Sequence, residues 1–133
     1  MNKKIFVNLA VTDLDKSKVF FEALGYTFNP QFTNDSGACM VICENSIYAM
    51  LLTREFFKSF IDKPIAQAHE VTEVLNCLSC ESREEVDELV GKAVAAGGKA
   101  HRQPQDHGFM YAHGFEDLDG HIWELVYMSG APS

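Results

Sequence analysis

Glu124 is the side chain whose type and place most demand a chemical reason. It lies in the run Phe115–Tyr127, Phe-Glu-Asp-Leu-Asp-Gly-His-Ile-Trp-Glu-Leu-Val-Tyr, flanked by Ile122, Trp123, Leu125 and Val126. A carboxylate in an apolar strand needs a partner, a metal or a proton to move, because leaving water penalises its charged form. Four of the five histidines, His101, His107, His113 and His121, fall in the same last third of the chain. None are spaced as His-x-His or His-x-x-x-His, so no local chelating pair is encoded. His113 shares a strand face with Tyr111 and Phe115, and it can pair with Glu124, for a metal or a proton, only if that face lines a cleft. Tyr111 would then contact the same ligand. His121, beside a turn, is expected to meet solvent. Asn8 sits on the first-strand face that carries Phe6, where its amide can orient a substrate oxygen or bond a neighbouring strand.

The cysteines suggest packing rather than chemistry. Cys77 and Cys80 form a Cys-x-x-Cys, but in a strand an odd separation sends the two thiols to opposite faces, where they cannot grip one ion. Cys39 and Cys43 share a face yet stand roughly 13 Å apart along an extended strand, too far for a disulfide. All four are expected to be reduced.

Periodicity supplies the elements that must position these groups. Ile5–Val11 alternates as a strand; Thr12 with Asp15 resembles a capping box, and Leu14, Phe20, Phe21 and Leu24 give the apolar face of a helix that Gly25 closes. Strands are predicted over Tyr26–Phe32, Ala38–Glu44 and Ile47–Thr53, then a short Phe-rich helix over Arg54–Ile61 that stops before Pro64. The polar stretch from Ala66 to Thr72 has no clear periodicity. Glu73–Cys80 reads as a strand, Ser82 and Glu85 as a capping box, and Val86, Leu89, Val90 and Ala93 as a helical stripe ended by Gly97-Gly98. Lys99–Pro104, Phe109–Phe115 and His121–Met128 complete the pattern, the last two joined by the Asp117–Gly120 turn. The second half thus repeats the first at an offset of roughly 70 residues, giving two βαβββ copies that can enclose a shared cleft.

The totals narrow the partners. A chain of 133 residues with 47% hydrophobic content can bury one sizeable core, and no apolar run approaches the roughly 18 residues of a membrane span. The apolar start is broken at Asn8, too early for a signal peptide, so a cytoplasmic location is expected. A net charge of −8 without a basic cluster excludes an electrostatic footprint for nucleic acid or anionic lipid. Small molecules or other proteins remain.

Val-Thr-Asp-Leu-Asp-Lys-Ser at the first strand-to-helix junction and Phe-Glu-Asp-Leu-Asp-Gly-His-Ile-Trp-Glu-Leu near the end, on a duplicated βαβββ plan, resemble the vicinal oxygen chelate superfamily. This group includes glyoxalase I, bleomycin-resistance proteins and extradiol dioxygenases, and the similarity covers essentially the whole chain. Ile-Phe-Val-Asn-Leu and Pro-Gln-Asp-His-Gly-Phe-Met-Tyr look like the branch labelled predicted lactoylglutathione lyase. The resemblance implies an α+β fold: two βαβββ modules, about 1–53 and 72–133 with a linker of about 54–71, forming one glyoxalase-like domain. It also implies a divalent metal held between the modules, whose ligand positions fall at Phe6, Leu75, near Met50 and at Glu124. Only Glu124 offers a hard donor there. The expectation is therefore a small-molecule protein that has lost the family metal, uses no cofactor, and binds or processes an organic ligand through Glu124, with Asn8, Tyr111 and His113 as ligand contacts. Two rivals stand beside it: a metal-dependent lyase with Glu124 and His113 as rearranged ligands, and a noncatalytic dimeric sequestering protein. A homodimer is expected in each case.

Overall fold

The computed structural model describes residues 3–129, and the chain divides into two compact units, Met1–Ala66 and Gln67–Ser133. The first runs β1 (Ile5–Val11), α1 (Leu14–Ala23), β2 (Thr27–Asn29), a 3₁₀ turn (Pro30–Phe32), β3 (Gly37–Cys43), β4 (Ile47–Thr53) and α2 (Arg54–Lys58). Its sheet has the order β1-β4-β3-β2, with β1 parallel to β4 and the other pairs antiparallel. The second runs β5 (Leu75–Ser79), α3 (Arg83–Ala95), β6 (Lys99–Asp106), β7 (Met110–Glu116) and β8 (Ile122–Met128), in the order β5-β8-β7-β6 with β5 parallel to β8. The fold is α+β, two four-stranded mixed sheets with three helices, as the repeated pattern predicts.

Strand alternation sets the burial of β8 around Glu124, whereas in the first unit the end of β1 (Leu9, Ala10, Val11) and much of β4 are buried on both faces. In the first, Leu9, Val11, Met40, Ala49 and Leu51 are buried along with Phe20 and Phe21 of α1, while Phe6 of the other β1 face is 49% exposed. In the second, Phe115, Trp123 and Leu125 are buried with Val86, Val90 and Ala93 of α3. The opposite face of β5 stays open at Leu75, Cys77 and Ser79. Burying one of these large core side chains stabilises the chain by about 1.5–3 kcal/mol. Among the described residues, no helix is long and apolar enough to cross a membrane.

Several boundaries differ from the sequence expectation. The cap of α1 is Asp13 rather than Thr12: its carboxylate accepts from the Lys16 N–H at 3.1 Å, and Leu14 opens the helix. The second strand ends at Asn29 because Pro30 starts the 3₁₀ turn, and α2 stops at Lys58, short of Ile61. The cap of α3 is as expected, with Ser82 accepting from the Glu85 N–H at 3.1 Å; the Glu85 carboxylate reaches back to the N–H of Glu81 instead of Ser82. Strand β6 runs beyond Pro104 to Asp106, which an edge strand tolerates because a proline there interrupts no central ladder.

Candidate functional site

Strand β8 presents two faces of opposite character. Trp123 and Leu125 are buried, whereas Glu124 and Val126 lie on the open face of the second sheet, the Glu124 side chain 26% exposed. Its immediate neighbours Trp123 and Leu125 therefore point away from Glu124, while Ile122 and Val126 share its face, as the two-residue period of a strand requires. Register sets Glu124 opposite Cys77 on β5 and Gly114 on β7, and Gly114 opposite His101 on β6. A Cβ on Gly114 would fall 2.7 Å from Glu124 Oε2 and 2.8 Å from the Trp123 carbonyl, so the carboxylate lies across the bare glycine. Beyond it, His101 Nε2 stands 3.9 Å from Glu124 Oε1.

These groups line a cavity of about 280 Å³ within the second unit, walled by Leu75, Met110, Ala112 and Val126 on the apolar side and by His101, Arg102 and Gln103 on the polar side. Cys77 lies at its exposed rim, where partial desolvation, reinforced by the charge of Glu124, pushes the thiol above its ordinary 9.0. A thiol so placed is disfavoured as a nucleophile at neutral pH. All four cysteines are free.

Of the other sequence candidates, His113 borders this cavity, and Tyr111 and Asn8 do not line it. Although His113 borders the same cavity, it pairs with Leu125 in the ladder, on the opposite face from Glu124, and its Nε2–H donates to the Arg102 carbonyl at 3.1 Å. Tyr111 shares that opposite face: its hydroxyl donates to Asp87 of α3 at 2.6 Å, which raises its pKa, and Arg83 lies 5.0 Å over its ring. Asn8 belongs to the first unit, exposed beside Met50 in the ladder, with its amide donating to the Phe6 carbonyl at 3.1 Å. So His101, not His113, is the histidine brought to Glu124. The pair depends on β6–β7 register, which local sequence does not display, but a glycine inside a strand pattern at 114 was a signal of close approach.

The most deeply buried acid of this region is Asp117, only 6% exposed, with Asp119 of the same turn also buried. Its Oδ2 accepts from the Trp123 indole at 3.0 Å, and its Oδ1 from the N–H groups of Asp119 and His121 at 2.9 and 3.0 Å. Burial pushes its carboxyl above the ordinary aspartate value, opposed by the charge of His121 and by the donated hydrogen bonds. His121 is accordingly half-buried and tied to this turn through its backbone, rather than simply solvated.

On the outer surface, Arg83 grips Asp106 through two hydrogen bonds, at 2.7 and 3.1 Å. The guanidinium, followed by the Gly108 N–H, holds the Asp106 carboxyl down to about 2. An acid lowered in the folded state contributes stability above its unfolded value of 3.8 and loses it as pH falls through about 2. We expect an NMR titration of the Asp106 carboxyl to show a midpoint near 2 that returns toward 3.8 in Arg83→Ala. The exposed pair should change global stability little.

Two units of this topology, each a β-strand, a helix and three more strands with the first and last strands parallel, define the glyoxalase/bleomycin resistance/dioxygenase fold. A glyoxalase/bleomycin resistance protein/dioxygenase family enzyme from Burkholderia phytofirmans PsJN has the same fold at TM-score 0.75 and 15% identity, covering 92% of this chain and 96% of that one. The fosfomycin resistance protein FosX of Listeria monocytogenes matches at TM-score 0.66 and 19% identity, over 100% of this chain and 94% of its own. The sequence model of the bleomycin resistance protein-like N-terminal family matches residues 3–43. No curated protein matches the chain. A hypothetical protein of S. aureus is 31% identical, with TM-score 0.79 over 96% of this chain and 95% of that one. The chain belongs to one family with that staphylococcal protein, and its fold is that of the glyoxalase/bleomycin resistance/dioxygenase structures.

Proposed function

We propose that this protein binds or processes a small organic ligand in the second-unit cavity, with Glu124 as its reactive carboxylate and His101 as the partner of Glu124. The observation that carries this reading is the 3.9 Å approach of His101 Nε2 to Glu124 Oε1 inside a cavity whose other walls are largely apolar. A carboxylate beside an imidazole on a dry wall can accept a proton from a bound ligand and pass it on.

The superfamily metal does not fit this donor set. The equivalent of Glu124 in the first unit is Met50: Glu124 pairs with Cys77, two residues beyond Leu75, and Met50 pairs with Asn8, two residues beyond Phe6. The four ligand positions implied by the resemblance thus hold Phe6, Met50, Leu75 and Glu124, three of them without an oxygen or nitrogen donor in the side chain. Phe6 is instead stacked on Tyr48 at 4.8 Å. Among the described residues no group of three His, Cys, Asp or Glu side chains is arranged to hold an ion. This donor set supports a metal-independent ligand protein over a lactoylglutathione lyase with rearranged ligands. The exposure of Phe6 and Leu75 supports assembly as a homodimer, and the four free thiols support a cytoplasmic setting.

The experiment is Glu124→Gln. It should leave stability within about 0.5 kcal/mol, as expected of a part-exposed isosteric change, while abolishing ligand binding or turnover. Native mass spectrometry of the purified chain reports metal, co-purifying ligand and oligomer together, and a hemithioacetal panel separates an enzyme from a binder. Unchanged ligand binding combined with a large stability loss assigns Glu124 a structural role and overturns the reading.

A further inference from the structure

We propose that the ligand of this cavity is a small organic monocarboxylate whose carboxylate is held by Arg102. The inference rests on the cavity being a ligand site, and it names the chemical class that site takes.

Strand β6 leaves its register with β7 between His101 and Gln105. Within that irregularity Arg102 has φ 62, in the left-handed region; the other non-glycine with positive φ among the described residues is Asn45, a type that tolerates it. An arginine has no such tolerance, and the surroundings hold it there: the His113 side chain donates to its carbonyl at 3.1 Å, and Pro104, without an N–H, follows in the same stretch. Bulges of this kind re-aim side chains. Here the bulged residue, itself exposed, borders the cavity on its open side.

The contrast with Arg83 is informative. Arg83 is saturated by Asp106, whereas Arg102 has no carboxylate partner among the described residues, although the chain carries 19 acidic residues against 11 basic ones. Glu124 faces the same cavity but has His101 as its own neighbour at 3.9 Å. That leaves one planar guanidinium for a ligand, and guanidinium geometry matches a carboxylate bidentately. Arg102 and Glu124 leave the cavity with no net charge, so each negative charge on a ligand adds repulsion from Glu124, which favours a monoanion over a phosphonate dianion. Leu75, Met110, Ala112 and Val126 then receive the apolar body of the ligand.

The test is an NMR amide-shift titration of the whole chain with phenylacetate and hexanoate, their amides phenylacetamide and hexanamide, and benzylphosphonate. The carboxylates should perturb residues 101–103, 105, 112–114 and 124, and bind about tenfold or more tightly than the amides, the value of a charge-assisted hydrogen bond. Arg102→Gln and Arg102→Gly should both lose that preference. The glycine variant suits the left-handed backbone, so its melting temperature should be no lower than that of the parent. Equal binding of acids and amides by the parent, a preference that survives both variants, or tighter binding of benzylphosphonate overturns the monocarboxylate assignment and leaves the ligand site standing. No perturbation of cavity residues by any probe overturns both.

Discussion

Asp117→Ala should destabilise the chain by about 3–5 kcal/mol, the cost of removing one member of a buried, charged hydrogen-bond network. Three donors converge on this carboxylate: the indole of Trp123, itself 2% exposed, and the backbone N–H groups of Asp119 and His121. Alanine leaves all three without that acceptor, two of them the groups that shape the turn between β7 and β8. Asparagine separates the contributions. Its carbonyl can still serve the two backbone N–H groups, but its amide then sets a donor against the indole donor, so Asp117→Asn should cost about 1–3 kcal/mol. Trp123 is the only tryptophan of the chain, so urea unfolding followed by its emission measures both variants and reports its own environment. If Asp117→Ala unfolds at the parental urea midpoint, the network is not what holds the turn.

Legibility in the sequence followed the range of the interactions. Strand β1, β4 and helix α3 could be read to within a residue or two because their periods and caps are local: Ile5–Val11 and Ile47–Thr53 match in full, and Ser82 caps α3. Thr12 reads as the cap because Asp15 follows three residues on, but Asp13 is as good a capping type in the next position, and only backbone geometry decides between them. Glu124 stood out because a charge breaks an apolar run, but its partner could not be read. His101 meets it through the β6–β7–β8 register, and β6 departs from register immediately after His101. His113 shares a strand face with Tyr111 and Phe115, and although it borders the cavity, pairing with Leu125 puts it on the face opposite Glu124. Asp117 escaped notice for the opposite reason: an aspartate before Gly120 looks like ordinary turn chemistry, and nothing local reveals that an indole six residues on will bury it.

The acid proposed for ligand chemistry and the structural acid thus separate along one hairpin. Asp117 is buried, saturated by donors and fixed, while Glu124 is part-exposed on the cavity face with one imidazole nearby. A side chain whose hydrogen bonds are all made within the fold has little left for a ligand; one that retains acceptor capacity beside a cavity has it in reserve. On the proposed reading, ligand chemistry belongs to Glu124 and stability to Asp117. Substitutions at the two sites should accordingly separate in their readouts.

The same turn sets the second large effect, at Gly120. Its φ is 87, and an added Cβ would fall 2.7 Å from the His69 backbone nitrogen and ring Nδ1 and 2.8 Å from the Ala68 carbonyl carbon. The polar stretch around His69, which shows no periodicity in the sequence, is therefore packed directly against the turn that Asp117 organises. Gly120→Ala must bear both the left-handed backbone cost, about 1–2 kcal/mol, and a clash with backbone that cannot rotate away as a side-chain tip could. Together these should lower stability by about 2–4 kcal/mol. Gly91 gives the internal control: it lies within α3, and an added Cβ meets nothing within 4 Å. Gly91→Ala should raise stability by about 0.5–1 kcal/mol, from helix propensity alone. Opposite shifts of melting temperature for one methyl group at two glycines would show that contact and backbone conformation at residue 120, not side-chain bulk, set the cost. A Gly120→Ala variant as stable as the parent would mean that the His69 segment does not pack on this turn in solution.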